Sequence, residues 1–148
     1  MKLLRQIVAV LALTGLLLAQ TKTGGGGSAP ATRGATVSVS GQVANINTAT
    51  LFTPAVAGEY RVNYYMPSTV VCVTPGPAQV VLTLGWTDDV GARTTTATLV
   101  LGATSTAPQS GSVVVWSTAS AISYSTAYTA CTSGTGTYSL RVTVEQLQ

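Results

Sequence analysis

The feature that most constrains the fold is a period-two alternation of apolar and polar residues along most of the chain after residue 34. In the clearest case, residues 138–145 read Tyr-Ser-Leu-Arg-Val-Thr-Val-Glu, so that one face is apolar and the other is polar. Successive side chains on a strand point to opposite faces, and the pattern therefore predicts half-buried β-strands. Similar alternation covers residues 59–66, 79–86, 93–101 and 122–128.

Glycine and proline residues separate these segments, and no segment after the N-terminus has a helical period. The residues from Asp88 to Gly91 lie between two strong strand patterns and predict a hairpin turn. The continuous apolar run Val113–Trp116 predicts a strand that is buried on both faces. About eight or nine short strands with such turns indicate an all-β protein, an antiparallel β-sandwich or barrel.

The N-terminus resembles an export signal. Lys2 and Arg5 precede the apolar run Ile7–Leu18, and Ala19 offers a small residue for cleavage. The run is shorter than the roughly 20 apolar residues of a membrane span. Residues 1–19 therefore predict a signal peptide, and an uncleaved N-terminal anchor is the alternative. If the segment stays uncleaved, it is the only part of the chain that we expect to contact a membrane.

A flexible linker is predicted over residues 20–34, because four consecutive glycines, Gly24–Gly27, are followed by small residues and proline. The glycines lack the Gly-Lys-Ser/Thr that completes a phosphate-binding loop. Residues 35–148 are long enough for one β-sandwich domain with its own core. The predicted location is secreted, periplasmic or on the cell surface.

The chain has two cysteines, Cys72 and Cys131. An exported chain meets an oxidising compartment, and an even cysteine count there predicts a disulfide. Two separate buried thiols remain the alternative. A zinc site is not expected, because two cysteines without any histidine do not complete a zinc coordination shell.

Charged groups are scarce in the predicted domain, and the whole chain contains no histidine. The net charge of +3 comes largely from the N-terminal segment, so a nucleic-acid-binding surface is not expected. Serine and threonine are abundant, yet the usual bases that activate them are missing, and we expect no enzyme activity and no cofactor. After Gly34 the charged residues are Glu59, Arg61, Asp88, Asp89, Arg93, Arg141 and Glu145.

The segment Leu51–Met66 resembles a strand motif of the jelly-roll superfamily that contains the complement globular heads and tumour necrosis factor. Phe52, Gly58 and Tyr60 occupy the positions of its Phe-x-x-x-x-x-Gly-x-Tyr pattern. Together with segments 85–88 and 136–142, it is also similar to small jelly-roll domains of bacteria and of phage tails and fibres. The resemblance implies a jelly roll and a homo-oligomer, with a trimer as the family's example. An immunoglobulin-like sandwich is the alternative fold, although no tryptophan follows Cys72 at the usual spacing.

Three pairs of charged residues are considered as candidates for a site, and each has a simpler structural interpretation. Asp88 and Asp89 provide loop carboxylates for a weak calcium site, but aspartate is also a common turn residue, and turn chemistry is the favoured interpretation. Adjacent side chains on extended chain diverge, which argues against a glycosidase pair. Glu59 and Arg61 share a strand face, as do Arg141 and Glu145, and both pairs are interpreted as solvated charges or weak cross-strand pairs.

Most aromatic residues alternate with polar ones on the apolar side of their strands, which predicts core packing. Tyr65 is the exception, because it shares the opposite face with Arg61 and Asn63. This possible binding face fits a glycan or a surface protein. The aromatics assigned to core packing are Tyr64, Trp86, Trp116, Tyr124 and Tyr128.

Three functions follow from these patterns. The first is an exported structural or adhesive domain that self-associates or binds a surface partner, since uncharged faces are buried at little desolvation cost. The second is a carbohydrate-binding module with Tyr65 on its platform. The third is a tail or fibre component of the phage type.

Overall fold

The computed structural model describes residues 32–104 and 107–147, and this part of the chain is built from strands without helices. The nine strands are β1 (Thr32–Gln42), β2 (Ile46–Phe52), β3 (Gly58–Met66), β4 (Ser68–Val70), β5 (Gln79–Asp88), β6 (Gly91–Val100), β7 (Gln109–Ser117), β8 (Ile122–Thr129) and β9 (Thr137–Gln146).

The strands form two antiparallel sheets packed as a sandwich, which confirms the predicted fold class. The first sheet has the order β1-β9-β3-β7, with the short β4 also paired to β9, and the second has the order β2-β8-β5-β6. Every observed strand pairing is antiparallel, as is usual for sheets with one solvated face.

The pairing scheme is that of a jelly roll. Strands from the first half of the chain pair with strands from the second half, as β1 with β9, β2 with β8 and β3 with β7, around the central β5–β6 hairpin. Successive strand pairs lie in alternate sheets, so the long antiparallel hairpin formed by these pairs wraps around the core. The immunoglobulin-like alternative places its first two strands in one sheet, whereas β1 and β2 lie in different sheets here.

The core lies between the sheets and is filled by the apolar set of each alternating segment. In β9, Tyr138, Leu140, Val142 and Val144 are all buried, while the polar residues between them are not. Full burial of each such side chain contributes about 1.5–3 kcal/mol. The ring of Tyr60 is buried, and its centroid lies 5.8 Å from that of Phe52.

The prediction that Val113–Trp116 is buried on both faces is wrong. Val113 and Val115 point to the core, but Val114 and Trp116 are 55% and 44% exposed. The segment belongs to β7, the last strand of the first sheet, and no further layer of the described residues covers the outer face of that sheet. A continuous apolar run therefore marks a strand here without marking burial of both its faces.

The disulfide between Cys72 and Cys131 is present, with an S–S distance of 2.07 Å, and confirms the predicted pairing. It joins the segment after β4 to the segment after β8 at one end of the sandwich, which we call the disulfide end. The amide of Cys72 also donates to the carbonyl of Gly102, so three connections are held together there. A disulfide is consistent with an extracellular or periplasmic location.

Both ends of the described chain lie at the opposite end of the sandwich. Thr32, the first residue of β1, is the antiparallel partner of Gln146 in β9. The first strand thus begins three residues inside the predicted linker. The predicted signal peptide and most of that linker lie outside the described residues.

Candidate functional site

The outer face of the first sheet carries the residues that sequence analysis selected for binding. Strand β3 lies inside this sheet between β7 and β9, and its alternation buries Tyr60, Val62 and Met66. The intervening residues Arg61, Asn63 and Tyr65 consequently share the outer face, with Arg61 and Tyr65 exposed and Asn63 half-buried.

Strand register determines what surrounds these three residues. Arg61 is flanked by Val114 and Glu145, Asn63 by Ser112 and Thr143, and Tyr65 by Ser110 and Arg141, where the first neighbour lies on β7 and the second on β9. Tyr65 and Arg141 are therefore adjacent on the surface although they are far apart in the sequence.

Exposed aromatic residues are confined to this face. The chain has two tryptophans, six tyrosines and one phenylalanine, all of them among the described residues, and the two most exposed are Tyr65 (47%) and Trp116 (44%). The indole nitrogen of Trp116 donates to Asp89 Oδ1 at 3.1 Å, which orients the ring. Trp116 was assigned to the core, and that prediction is wrong, because a continuous apolar run does not reveal which of its residues face outward.

The other aromatics assigned to core packing do pack against it. Tyr124 is buried, and Tyr64, Trp86 and Tyr128 are partly buried against the core cluster. The ring of Tyr64 lies over Gly111 of β7, where there is no space for a Cβ atom. The exposed aromatic surface is therefore limited to two side chains.

A shallow depression of about 250 Å³ lies beside Tyr65. It is open to solvent and has polar and aromatic neighbours, a shape suited to a sugar ring or to a side chain of a partner. Its lining residues are Asn63, Tyr64, Tyr65, Arg141 and Thr143.

Four charged side chains of this face have no ion pair or hydrogen bond within the described part of the chain. Arg61 lies directly opposite Glu145, yet their side chains do not form an ion pair, and Glu59 and Arg141 also have no charged partner among the described residues. Within residues 32–104 and 107–147, one ion pair is found, and it joins Arg93 Nε to Asp88 Oδ2 at 2.8 Å. The charges on the outer face are thus available to an external partner.

Asp88 acts as a turn residue, as the favoured interpretation predicted. Its Oδ1 accepts hydrogen bonds from the amides of Val90 (2.8 Å) and Gly91 (3.0 Å) in the β5–β6 hairpin. The hydrogen bond from Arg93, followed by that from Val90, holds the pKa of Asp88 below its ordinary value. Asp89 accepts from Trp116, and no cluster of three or more potential metal ligands occurs among the described residues.

A buried chain of hydrogen bonds joins the β1–β2 loop to the core. The amide of Ile46 donates to Thr126 Oγ1 (2.9 Å), whose oxygen lies 2.6 Å from the hydroxyl of Tyr138, and that hydroxyl donates to the carbonyl of Ala44 (3.0 Å). A tyrosine hydroxyl has one hydrogen, so Thr126 is the donor to Tyr138. Burial raises the pKa of Tyr138, which keeps this network neutral, and its role is structural.

Comparison with known proteins does not assign a family. No protein-family model matches this chain, and a search of curated proteins finds no significant similarity. Among the residues that the structure describes, no helix is long and apolar enough to cross a membrane. The functional interpretation therefore depends on the surface itself.

Proposed function

We propose that this protein is an exported, non-enzymatic domain that works by contact and self-associates through the outer face of its first sheet. The observation that carries the proposal is the confinement of both exposed aromatic side chains, Tyr65 and Trp116, to that one face. Protein interfaces are enriched in tyrosine, tryptophan and arginine relative to other surfaces, and a few such residues supply most of the binding free energy.

The neighbouring residues support an interface. Val114 is 55% exposed between the two aromatics, and Arg61 and Arg141 extend from the same face. Monomeric proteins seldom leave large apolar side chains grouped on a surface without a binding role. The outer face of the second sheet has no exposed aromatic side chain, and its exposed residues are mainly threonine and alanine, as at Thr96 and Ala127, with Val100 as the exposed aliphatic residue.

The available side chains argue against catalysis. The chain has no histidine, Asp88 and Asp89 are bonded to Arg93 and Trp116, and the tyrosine network is buried. The other two described carboxylates, Glu59 and Glu145, do not line the depression beside Tyr65. General acid–base and nucleophilic catalysis need a titratable group that faces a substrate. The second sheet and the depression near Tyr65 offer hydroxyls without a base.

The location and the oligomeric state are part of the proposal. The predicted N-terminal export signal and the disulfide support secretion or presentation in the periplasm or on the cell surface. The resemblance to the tumour necrosis factor superfamily adds a trimer as one possible assembly.

The test measures the mass of the exported protein by light scattering over a range of concentrations. We expect a multiple of the monomer mass that falls toward the monomer in Tyr65→Ala and Trp116→Ala. Thr96→Ala, an exposed substitution on the second sheet, is the matched control and retains the assembly. A strict monomer at high concentration in the unmodified protein would remove the proposal.

A carbohydrate-binding module is the second candidate, and the depression of about 250 Å³ beside Tyr65 favours it. Aromatic rings stack on sugar faces, and hydroxyl and amide groups beside them, such as Thr143 and Asn63, bind sugar hydroxyls. Pull-down with insoluble polysaccharides distinguishes the two functions, because a monomer that binds glycan through Tyr65 fits this candidate and not the first. Unchanged glycan binding in Tyr65→Ala excludes the assignment of the site.

A further inference from the structure

The described part of the outer face of the first sheet carries charged side chains of both signs. Its described charged side chains are two carboxylates, Glu59 and Glu145, and two guanidinium groups, Arg61 and Arg141. None has an ion pair or a hydrogen bond within the described part of the chain. A face that carries unpaired groups of both signs is complementary to a copy of itself, provided that the copies meet in the correct orientation.

The charges are distributed unevenly along the strands. Arg141 and Glu145 lie four residues apart on one face of β9, which corresponds to about 13–14 Å along a strand. Thr143 lies midway between them on the same face. Arg61 and Glu59 lie beside or beyond Glu145, so Arg141 is the sole described charge on the half of this face nearer the disulfide end.

We propose that the outer face of the first sheet packs against the same face of a second copy, related by a two-fold axis that runs across the strands over Thr143. That operation reverses the strand direction of the partner and places Arg141 of each copy over Glu145 of the other. An isologous contact forms both pairs at once, because the same patch is used by both copies. The inference rests on the proposed self-association and names its partner and its orientation.

The area of the face is sufficient for such a contact. The face is four strands wide at a spacing of about 4.8 Å, and about ten residues long at a rise of about 3.4 Å per residue. These dimensions give a surface of roughly 650 Å² per copy. Burial on both copies is then about 1,300 Å², within the range of specific protein interfaces. Tyr65 and Val114 lie inside this area and supply its aromatic and aliphatic contacts.

Charge reversal tests the orientation. In a dimer of Arg141→Glu, each of the two symmetry-related contacts brings two carboxylates together. In a dimer of Glu145→Arg, each contact brings two guanidinium groups together. We expect each variant alone to raise the dissociation constant of the dimer by at least about tenfold, measured by sedimentation velocity. An equimolar mixture of the two variants pairs opposite charges in both contacts, and the heterodimer is expected to form with near-original affinity.

The double variant Arg141→Glu/Glu145→Arg is a second test, since it restores opposite charges in a homodimer. Thr96→Glu on the second sheet is the matched control and leaves the dimer unchanged. All the altered residues lie on solvated faces, and thermal unfolding of each variant identifies any that fails to fold. If one single variant fails to fold, the dissociation constants of the other single variant and of the double variant decide.

The outcomes separate this inference from the proposed function. An unmodified protein that assembles as three copies, or variants that stay dimeric alone, would overturn the two-fold contact and leave self-association standing. An unmodified protein that is monomeric would overturn both. Mixed variants that remain monomeric would overturn the pairing of Arg141 with Glu145.

Discussion

Removal of one buried hydroxyl group tests how the β1–β2 loop is attached to the core. Tyr138 is fully buried, and its hydroxyl accepts a hydrogen bond from Thr126 and donates one to the carbonyl of Ala44. In Tyr138→Phe the hydroxyl of Thr126, which is 4% exposed, loses its acceptor. An unsatisfied buried polar group costs about 1–3 kcal/mol. Ala44 is exposed, and water replaces the bond to its carbonyl.

We therefore expect Tyr138→Phe to lower the free energy of unfolding by about 2 kcal/mol, measured by urea denaturation. Thr126→Val removes the other hydroxyl, and the double variant should lose about 1 kcal/mol less than the sum of the single changes, because the two groups interact directly. Tyr65→Phe is the matched control. Its hydroxyl has no hydrogen-bond partner among the described residues, and a change within about 0.5 kcal/mol is expected.

The same substitution changes the response to alkaline pH. Burial raises the pKa of Tyr138 in the folded protein, so the unfolded chain loses this proton at a lower pH than the folded one. Its contribution to stability is complete below the unfolded pKa of about 10 and is lost as pH rises through the folded pKa. Tyr138→Phe removes that part of the alkaline loss. A stability within 0.5 kcal/mol of the original protein and an unchanged alkaline profile would refute the proposed network, on the scale of ordinary surface changes.

Three further substitutions test other parts of the structure. Replacement of Cys72 and Cys131 by alanine opens a loop of 59 residues and should cost on the order of 4 kcal/mol, measured by denaturant unfolding, whereas a loss below about 1 kcal/mol would contradict the role of the disulfide. Asp88→Asn should remove a contribution that is present above the ordinary aspartate pKa and is lost as pH falls through the lowered folded value, and identical acid-unfolding profiles of the two proteins would contradict it. Gly111→Ala should lower the free energy of unfolding by about 1–3 kcal/mol, because the added Cβ meets the ring of Tyr64. A smaller loss in a Tyr64→Ala background confirms the contact, whereas full additivity of the two losses excludes it.

Much of the sandwich is predictable from the sequence, because burial of one sheet face imposes a period of two. The alternation in β3 and β9 correctly separates core residues from outward ones, including Tyr65. The disulfide between the two cysteines is also predictable, because thiols oxidise outside the cytosol. The hairpin from Asp88 to Gly91 is predictable because aspartate and glycine favour turns.

The candidate site is less predictable, because it depends on pairings between distant strands. Tyr65 and Arg141 become neighbours only through the β3–β9 register, which the pattern of either strand alone does not determine. The continuous apolar segment of β7 has no alternation, so its sequence does not show that Val114 and Trp116 face outward. The hydrogen bond between Trp116 and Asp89 crosses from one sheet to the hairpin of the other and has no local signal.

Distance measurement between spin labels in an assembled sample tests most directly whether the outer face of the first sheet is the contact surface. Because packed sheets lie about 10 Å apart, labels at Thr143→Cys should lie within about 20 Å of their counterparts in the partner copy, whereas labels at Thr96→Cys should be separated by more than about 30 Å. The opposite order of distances, or an absence of any intermolecular signal from the Thr143 label, would contradict the assignment of this face.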